Sequence, residues 1–368
     1  MKIIVSAGGT GGHIYPALAI INKIKEQEPN TEILYIGTLD RMEKDIIPAR
    51  NIPYFGIEMK GLNRKNILKN FSVLNNYRKN ISILKKKIKE FNPDIVIGVG
   101  GYVTSPVIYS AKKLGYKTFI HEQNSIPGLS NKFLIRYTDK IGVSLEDSIK
   151  YFPKEKTIFT GNPRSEEVIN TKEIEKEKLG LSLSKNKKLV LIVMGSLGST
   201  TMNRKLKETL PLFKNKDYEV IFVTGKGYYD EYKKIKLPEN VKMVAYLDNM
   251  AQVLKKTDLI VSRAGASSLA EITALGLPSI LIPSPYVTHN HQLKNAKCLE
   301  ENNATVIIEE ESYDKSLLIS KIDEILNDEK LYQELKTNSS KLGVKDSATR
   351  IYKILRNLID GDKNDRFN

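Results

Sequence analysis

Twice along this chain, short β-branched runs, several of them bounded by glycine, alternate with segments of helical period, and that alternation restricts the fold more than any other feature. In the first half the runs lie at 2–6, 32–36, 53–57, 94–98, 117–120, 140–143 and 157–160; in the second, at 188–194, 219–223, 241–244, 258–261, 279–282 and 304–308. Strands separated by helices pair in parallel, and a parallel sheet is covered on both faces, which is why its strands read as continuous apolar runs. The spacing predicts an α/β chain with two doubly wound parallel-sheet domains in tandem, a number that 368 residues accommodate. The turn Thr160-Gly161-Asn162-Pro163-Arg164 and the charged stretch 171–187 mark the junction, so the domains are expected at 1–164 and 165–344. The remaining 345–368 carries Ile351, Ile354, Leu355 and Leu358 at helical spacing, a final helix able to pack back on the first domain, and then a polar tail.

Composition excludes several classes. With 40% hydrophobic and 27% charged residues the chain is not mainly disordered. Its one cysteine, Cys298, closes no intrachain disulfide, and no Cys/His cluster has zinc spacing. The apolar run after Met1 is too short for a secretory signal, and no stretch approaches the roughly 20 residues of a spanning helix. A soluble or peripheral protein of a reducing compartment is expected. Net charge is +15, divided as 26 basic and 14 acidic residues in 1–164 against 32 and 29 in the rest. A one-sided basic excess suits an anionic partner: nucleic acid, a membrane surface or a phosphorylated substrate.

Glycine loops narrow the choice. The first strand runs into Gly8-Gly9-Thr10-Gly11-Gly12-His13, with Pro16 and a helical pattern behind it. Such a loop brings backbone N–H groups and a helix N-terminus to an anionic oxygen. It is not a dinucleotide fingerprint, because position 14 is Ile and the acid expected near the second strand tip is replaced by Gly37-Thr38. Nor is it a P-loop, since no Gly-Lys-Ser/Thr follows. The device recurs at 98–102 and at 195–199, also after strands. In open parallel sheets ligands collect at the carboxyl ends of strands, so two such domains facing one another would enclose a cleft.

The densest segment is 263–296. There Arg263-Ala264-Gly265-Ala266-Ser267-Ser268 opens a helix that offers N–H groups and hydroxyls to a diphosphate, and Glu271, one turn on, can accept from a vicinal diol such as a ribose. His289 and His291 are two apart, a spacing that does not place them on one helix face for metal binding.

Together these stretches, with 98–106 (GVGGYVTSP), 121–124 (HEQN) and 160–164 (TGNPR), resemble in order and spacing the MurG family over nearly the whole chain. That family comprises inverting GT-B glycosyltransferases that add N-acetylglucosamine to the undecaprenyl-linked muramyl-pentapeptide of peptidoglycan synthesis. The resemblance implies two Rossmann-like domains about a central cleft, with the donor UDP-N-acetylglucosamine mostly on the second. It places uracil near Leu247; Arg164, Ala266, Ser267 and Ser268 around the nucleotide and diphosphate; Glu271 on the ribose; Ser196 on the diphosphate; and Gln292 on the sugar hydroxyls. Thr10, Gly11, Gly12 and Asn124 would close from the first domain. Ser267, Ser268 and His291 depart from residues common in the family, and backbone N–H contacts there survive such changes.

The chemistry needs a base for the acceptor hydroxyl and stabilisation of the departing UDP. His13 is the candidate base, an imidazole having an ordinary pKa near ~6.5, and Glu122 is the alternative. No cofactor is required. The one Asp-x-Asp, Asp360-Gly361-Asp362, lies in the tail, so an assisting Mg²⁺ or Mn²⁺ would be held loosely, mainly by the diphosphate.

Residues 60–90 hold ten cations against Glu90, interleaved with apolar residues. Ile67, Leu68 and Phe71 are the expected membrane contacts, and the segment after Tyr77 the sheet-packing helix. The expected place is the cytoplasmic face of a bacterial membrane, peripherally held on an anionic surface. Rivals are a diacylglycerol glycosyltransferase, a UDP-sugar epimerase and a nucleic-acid binder, the last without a recognised motif.

Overall fold

Strand formation follows burial. In β1 (Lys2–Ser6), Ile3 and Val5 point to one face of a sheet and Ile4 to the other, and all three are fully buried. The computed structural model describes residues 1–59, 70–195, 198–287 and 290–361, with side chains from 76 onward in the helix that begins at Asn70. The strands after β1 are β2 (Glu32–Thr38), β3 (Tyr54–Ile57), β4 (Ile95–Gly98), β5 (Lys117–Glu122), β6 (Lys140–Val143) and β7 (Thr157–Phe159), then β8 (Lys188–Val193), β9 (Tyr218–Val223), β10 (Val241–Val244), β11 (Leu259–Ser262), β12 (Ser279–Leu281) and β13 (Val306–Ile307). They form two sheets of order β3-β2-β1-β4-β5-β6-β7 and β10-β9-β8-β11-β12-β13, with every described pairing parallel.

Helices α1 (Gly11–Gln27), α2 (Glu43–Ile46), α3 (Asn70–Phe91), α4 (Thr104–Lys113) and α5 (Leu129–Leu134) belong to the first sheet, and α6 (Arg164–Asn170) follows at the junction. The second sheet carries α7 (Thr200–Thr209), α8 (Tyr229–Tyr232), α9 (Met250–Lys255), α10 (Ala266–Leu275), α11 (His291–Glu300), α12 (Lys315–Asn327) and α13 (Glu329–Leu342), before the last helix, α14 (Ser347–Asp360). The chain divides into two units: Met1–Arg164 together with the chain from Asp346 on, and Ser165–Lys345.

In the first unit, α1 and α14 cover one face of the sheet, where Ile20, Ile21 and Ile24 meet Ile351, Ile354 and Leu355. The three residues from α14 are fully buried, and at about 1.5–3 kcal/mol for each aliphatic side chain they make the helix part of this unit's core. Tyr352 Oη donates to Glu28 at 2.9 Å on the rim. On the opposite face, α3 buries Leu84 and Ile88, while Lys86 and Lys89 stay exposed. Ile67 and Leu68 lie outside the described residues; Phe71 falls in the first turn of α3, where side chains are outside the description.

In the second unit, α7 and α12 pack on Val190 and Ile192, and α9 and α10 on Leu189 and Leu191. Most strand boundaries differ from the sequence expectation by one or two residues, and the difference at β5 bears on the site. β5 runs on through His121 and Glu122, paired with Gly142 and Val143 of β6. Polar residues in a strand buried on both faces look like loop in sequence; here each is held by hydrogen bonds.

Candidate active site

In both sheets the chain reverses direction beside its first strand, between β1 and β4 and between β8 and β11. Carboxyl ends of strands at such switch points are where open α/β sheets bind ligands.

In the first unit, two glycine loops lie side by side at the switch point. Gly8 N–H donates to Gly100 O at 3.2 Å, and the Thr104 hydroxyl donates to Gly100 O at 2.8 Å. Behind the first loop, α1 starts from Thr10 with no side-chain cap and no acid in its first turn, so its leading N–H groups are open to an anion.

His13 sits in that first turn, partly buried rather than fully exposed. Its Nδ1 lies 3.1 Å from Gly8 O and 3.5 Å from Thr10 Oγ1. A carbonyl oxygen only accepts, so Nδ1 carries the proton in this bond and the neutral ring keeps its lone pair on Nε2. The ring lies against Gly100, where a Cβ would stand 2.5 Å from Cδ2.

Glu122, the alternative base, is held on every side by donors. Glu122 is 2% exposed, and its carboxylate accepts from Asn124 N–H at 3.0 Å, Gly128 N–H at 3.0 Å, Asn131 Nδ2 at 2.9 Å and Asn124 Nδ2 at 3.3 Å. Those bonds occupy its oxygens and shape the 123–128 loop that carries Asn124, which is itself half-buried. Glu122→Ala is expected to cost about 3 kcal/mol of stability by stranding these donors. Thermal unfolding read beside turnover checks this, and an unchanged melting temperature with lost activity would restore Glu122 as a base.

His121 is fully buried. Its Nε2 lies 3.0 Å from Gly161 O and 3.2 Å from the Thr160 hydroxyl, and Gln123 Nε2 donates to its Nδ1 at 3.1 Å. It ties the end of β5 to the turn at 160–164. In that turn Asn162 Oδ1 accepts from Arg164 N–H at 3.1 Å, and the Arg164 guanidinium lies 5.7 Å from the centre of the Tyr15 ring. Burial pushes the His121 imidazole from 6.5 down to about 4, offset in part by the bond to Gly161. The folded state therefore favours neutral imidazole, and this stabilisation is complete above pH ~6.5 and lost as pH falls toward 4. We expect up to about 3 kcal/mol of acid destabilisation over that window, flattened in His121→Gln and measured by urea unfolding against pH.

In the second unit, Gly195, Gly198 and Ser199 follow β8; Ser196 lies outside the described residues, as does His289. Gly198 has φ +77° and would place a Cβ 2.1 Å from Thr224 O, so the close approach of this loop to β9 requires glycine. The start of α10 again has an extended glycine at its N-cap, no side-chain cap and no acid in the first turn. Ala266, Ser267 and Ser268 occupy that turn, and the Ser267 hydroxyl oxygen is buried with no hydrogen-bond partner among the described residues. Glu271, half-buried, stands four residues after Ser267 and thus on the same face. Gln292 Oε1 accepts from Ser284 N–H at 2.9 Å, which leaves the amide's two N–H donors as its capacity toward a ligand. At 5% exposure the Leu247 side chain belongs to the core with Leu254 and Ala264, so a ligand beside it would meet backbone.

Two charged residues received no role from the motifs. Arg263 is buried; it meets Glu310 at 2.6 Å and donates to Ser199 Oγ at 2.9 Å and Ile282 O at 3.0 Å, bracing the loop after β8 beneath α10. Glu43 is buried under the first glycine loop and accepts from Gly9 N–H at 3.1 Å. Arg263 stood in a segment already singled out, whereas Glu43 gave no signal. Among the described residues no group of three or more His, Cys, Asp or Glu side chains is placed to hold a metal ion.

Residues 3–143 match the glycosyltransferase family 28 N-terminal domain, and 189–351 the family's C-terminal domain. The chain is 46% identical over 364 residues, 98% of its length and 100% of the relative's, to the UDP-N-acetylglucosamine--N-acetylmuramyl-(pentapeptide) pyrophosphoryl-undecaprenol N-acetylglucosamine transferase of Bacillus cytotoxicus. The equivalently named Bacillus licheniformis protein is 46% identical over 362 residues, 97% of this chain and 99% of that one. Among solved structures, MurG of Acinetobacter baumannii superposes with a TM-score of 0.77 at 24% identity, covering 96% of this chain and 99% of that one, a likeness of fold. A UDP-GlcNAc 2-epimerase from Neisseria meningitidis shares the fold at a TM-score of 0.66 and 14% identity, covering 97% and 100%. With two Rossmann-like parallel-sheet domains of GT-B type and near full-length identity to these transferases, the chain belongs to glycosyltransferase family 28 and, within it, to the MurG family.

Proposed function

We propose that this chain is an inverting hexosyltransferase of peptidoglycan synthesis, moving N-acetylglucosamine from UDP-N-acetylglucosamine to the muramyl 4-hydroxyl of undecaprenyl-pyrophosphoryl-linked muramyl-pentapeptide. The observation that carries this reading is the 46% identity over 98% of the chain to transferases named for that reaction.

The site chemistry supplies what the reaction requires. His13 Nε2, unprotonated while Nδ1–H is held by Gly8 O, takes the proton of the 4-hydroxyl as that oxygen attacks the anomeric carbon. Thr10, Gly11 and Gly12 at the start of α1, with Asn124, hold the transferring sugar and its acceptor from the first unit. The uncapped N-terminus of α10 and the loop after β8 stabilise the charge that grows on departing UDP. Ala266, Ser267, Ser268 and Arg164 attend the nucleotide diphosphate, Glu271 accepts from the ribose diol, backbone at Leu247 meets uracil, and Gln292 donates to sugar hydroxyls. A divalent cation on the diphosphate would be held by phosphate oxygens rather than by a cage of side chains.

Incubation with labelled UDP-N-acetylglucosamine and a lipid-linked muramyl-pentapeptide analogue tests the reading. The expected result is a labelled disaccharide lipid formed only when both are present. Conversion of the donor alone to its 2-epimer, with no transfer, would replace this reading with the epimerase one.

The acceptor's lipid implies a membrane surface, and no described helix is long and apolar enough to cross one. A peripheral place on an anionic cytoplasmic leaflet fits the basic first half. One supporting face lies on α5, where Leu129 and Phe133 are 56% and 44% exposed and Lys132 and Lys150 flank the Tyr151 ring at 5.9 and 5.6 Å. Exposed apolar side chains on an element that also carries lysine suit the headgroup boundary. In liposome flotation the protein should float with anionic vesicles and much less with neutral ones, and the double variant Leu129→Ser, Phe133→Ser should weaken binding severalfold. Equal binding to both vesicle types, or to neither, would overturn the membrane reading.

A further inference from the structure

Glu43 opens α2, and none of its surface reaches solvent. Its Oε2 accepts from Gly9 N–H at 3.1 Å, and its Oε1 from Thr38 N–H at 3.1 Å and the Thr38 hydroxyl at 2.7 Å. Glycines make the space: a Cβ at Gly8 would lie 2.3 Å from Oε1, and one at Gly37 2.8 Å from the Glu43 Cγ. The bond to Gly9 N–H has a chemical consequence, because that N–H and the Gly8 carbonyl belong to one peptide group. The same Gly8 carbonyl oxygen lies 3.1 Å from His13 Nδ1. Negative charge at the N–H end of an amide shifts electron density to its oxygen, and bonds in such a chain strengthen one another.

We propose that Glu43 is a positioning residue that acts on His13 through the Gly8–Gly9 peptide, fixing the Nδ1–H tautomer and raising the proton affinity of Nε2. The inference rests on His13 being the base and names what tunes it. The logic is that of a carboxylate–imidazole pair with a peptide group inserted between the two.

Other titratable groups face this cluster. Tyr35 on β2 donates to Ala7 O at 2.9 Å, Tyr54 on β3 donates to Thr38 O, and Asp40 and Asp45 flank Glu43 in sequence. Burial first, and the Glu43 charge second, push both phenols upward, so they remain neutral donors. On α1, Tyr15 carries the Arg164 guanidinium above its ring. The loop after β4 brings Gly100 and Gly101, which are uncharged, and Thr10 contributes only a hydroxyl.

The test is a ¹⁵N-histidine titration of the full chain by NMR, with the His13 signals assigned by their loss in His13→Ala. The wild type should show the Nδ1–H tautomer. Glu43→Gln should lower the His13 midpoint by roughly half a pH unit, and the acid limb of kcat/KM should move the same way with KM for UDP-N-acetylglucosamine unchanged. Thr38→Val disturbs the same cluster but keeps the charge, and should leave the midpoint in place. If Glu43→Gln does not fold, Glu43→Asp, whose shorter arm withdraws from Gly9, must lower the midpoint instead. An Nε2–H tautomer in the wild type, or a midpoint that does not fall, would overturn the proposal. A falling midpoint with near-normal turnover in His13→Ala would sustain the link and remove the base. An unmoved midpoint with turnover lost in His13→Ala would keep the base and discard Glu43.

Discussion

His13→Ala is expected to lower kcat by two to four orders of magnitude, the usual contribution of a positioned general base, with KM for UDP-N-acetylglucosamine changed by less than about threefold. The donor contacts proposed at Ala266, Glu271 and Gln292 belong to the second unit, whereas His13 belongs to the first. Removing the ring loses the contacts of Nδ1 with Gly8 O and Thr10 Oγ1 and uncovers Gly100, a loss of about 1 kcal/mol that leaves the unit folded. Steady-state kinetics with the lipid-linked acceptor, read beside thermal unfolding, separate the two effects. Turnover within tenfold of wild type in a folded variant would remove His13 from the reaction.

How much of this was legible in the sequence depends on whether the deciding contacts are local. The strand runs were readable because strands buried on both faces admit few polar residues, and Ile3, Ile4 and Val5 are apolar whichever face they meet. α14 was readable by period, since Ile351, Ile354 and Leu355 form one stripe. His121 and Glu122 were not, because a polar residue belongs in a buried strand only if partners such as Gly161 and Asn131 arrive from elsewhere. Glu43 is the extreme case. Its neighbours Asp40, Arg41, Lys44 and Asp45 read as a solvated turn, yet the side chain fills a hole left by Gly8 and Gly37, and its donors come from two different loops. Leu247 shows the converse: the resemblance placed a ligand beside it, but sequence does not say whether backbone or side chain makes the contact.

Gly101→Ala and Gly115→Ala form a matched pair with sharply different expected outcomes. Both glycines have a left-handed backbone, φ +89° and φ +87°, so either alanine carries a conformational penalty of about 1–2 kcal/mol. Around Gly115 nothing lies within 4 Å of the added methyl, and the penalty should stop there with turnover unchanged. At Gly101 the methyl would stand 2.4 Å from Gly8 O, a backbone atom that no rotamer change can move aside. Relief requires the two glycine loops to part, adding about 2 kcal/mol and breaking the approach of Gly8 N–H to Gly100 O. Since Gly8 O also holds His13 Nδ1, a shift of that carbonyl by about 1 Å should lower kcat by roughly a hundredfold. Urea unfolding and single-turnover kinetics on both variants measure the two quantities. If Gly101→Ala and Gly115→Ala lost stability and activity equally, the loop pairing would not be what places the base, and the tie from β4 through Gly8 to His13 would have to be abandoned.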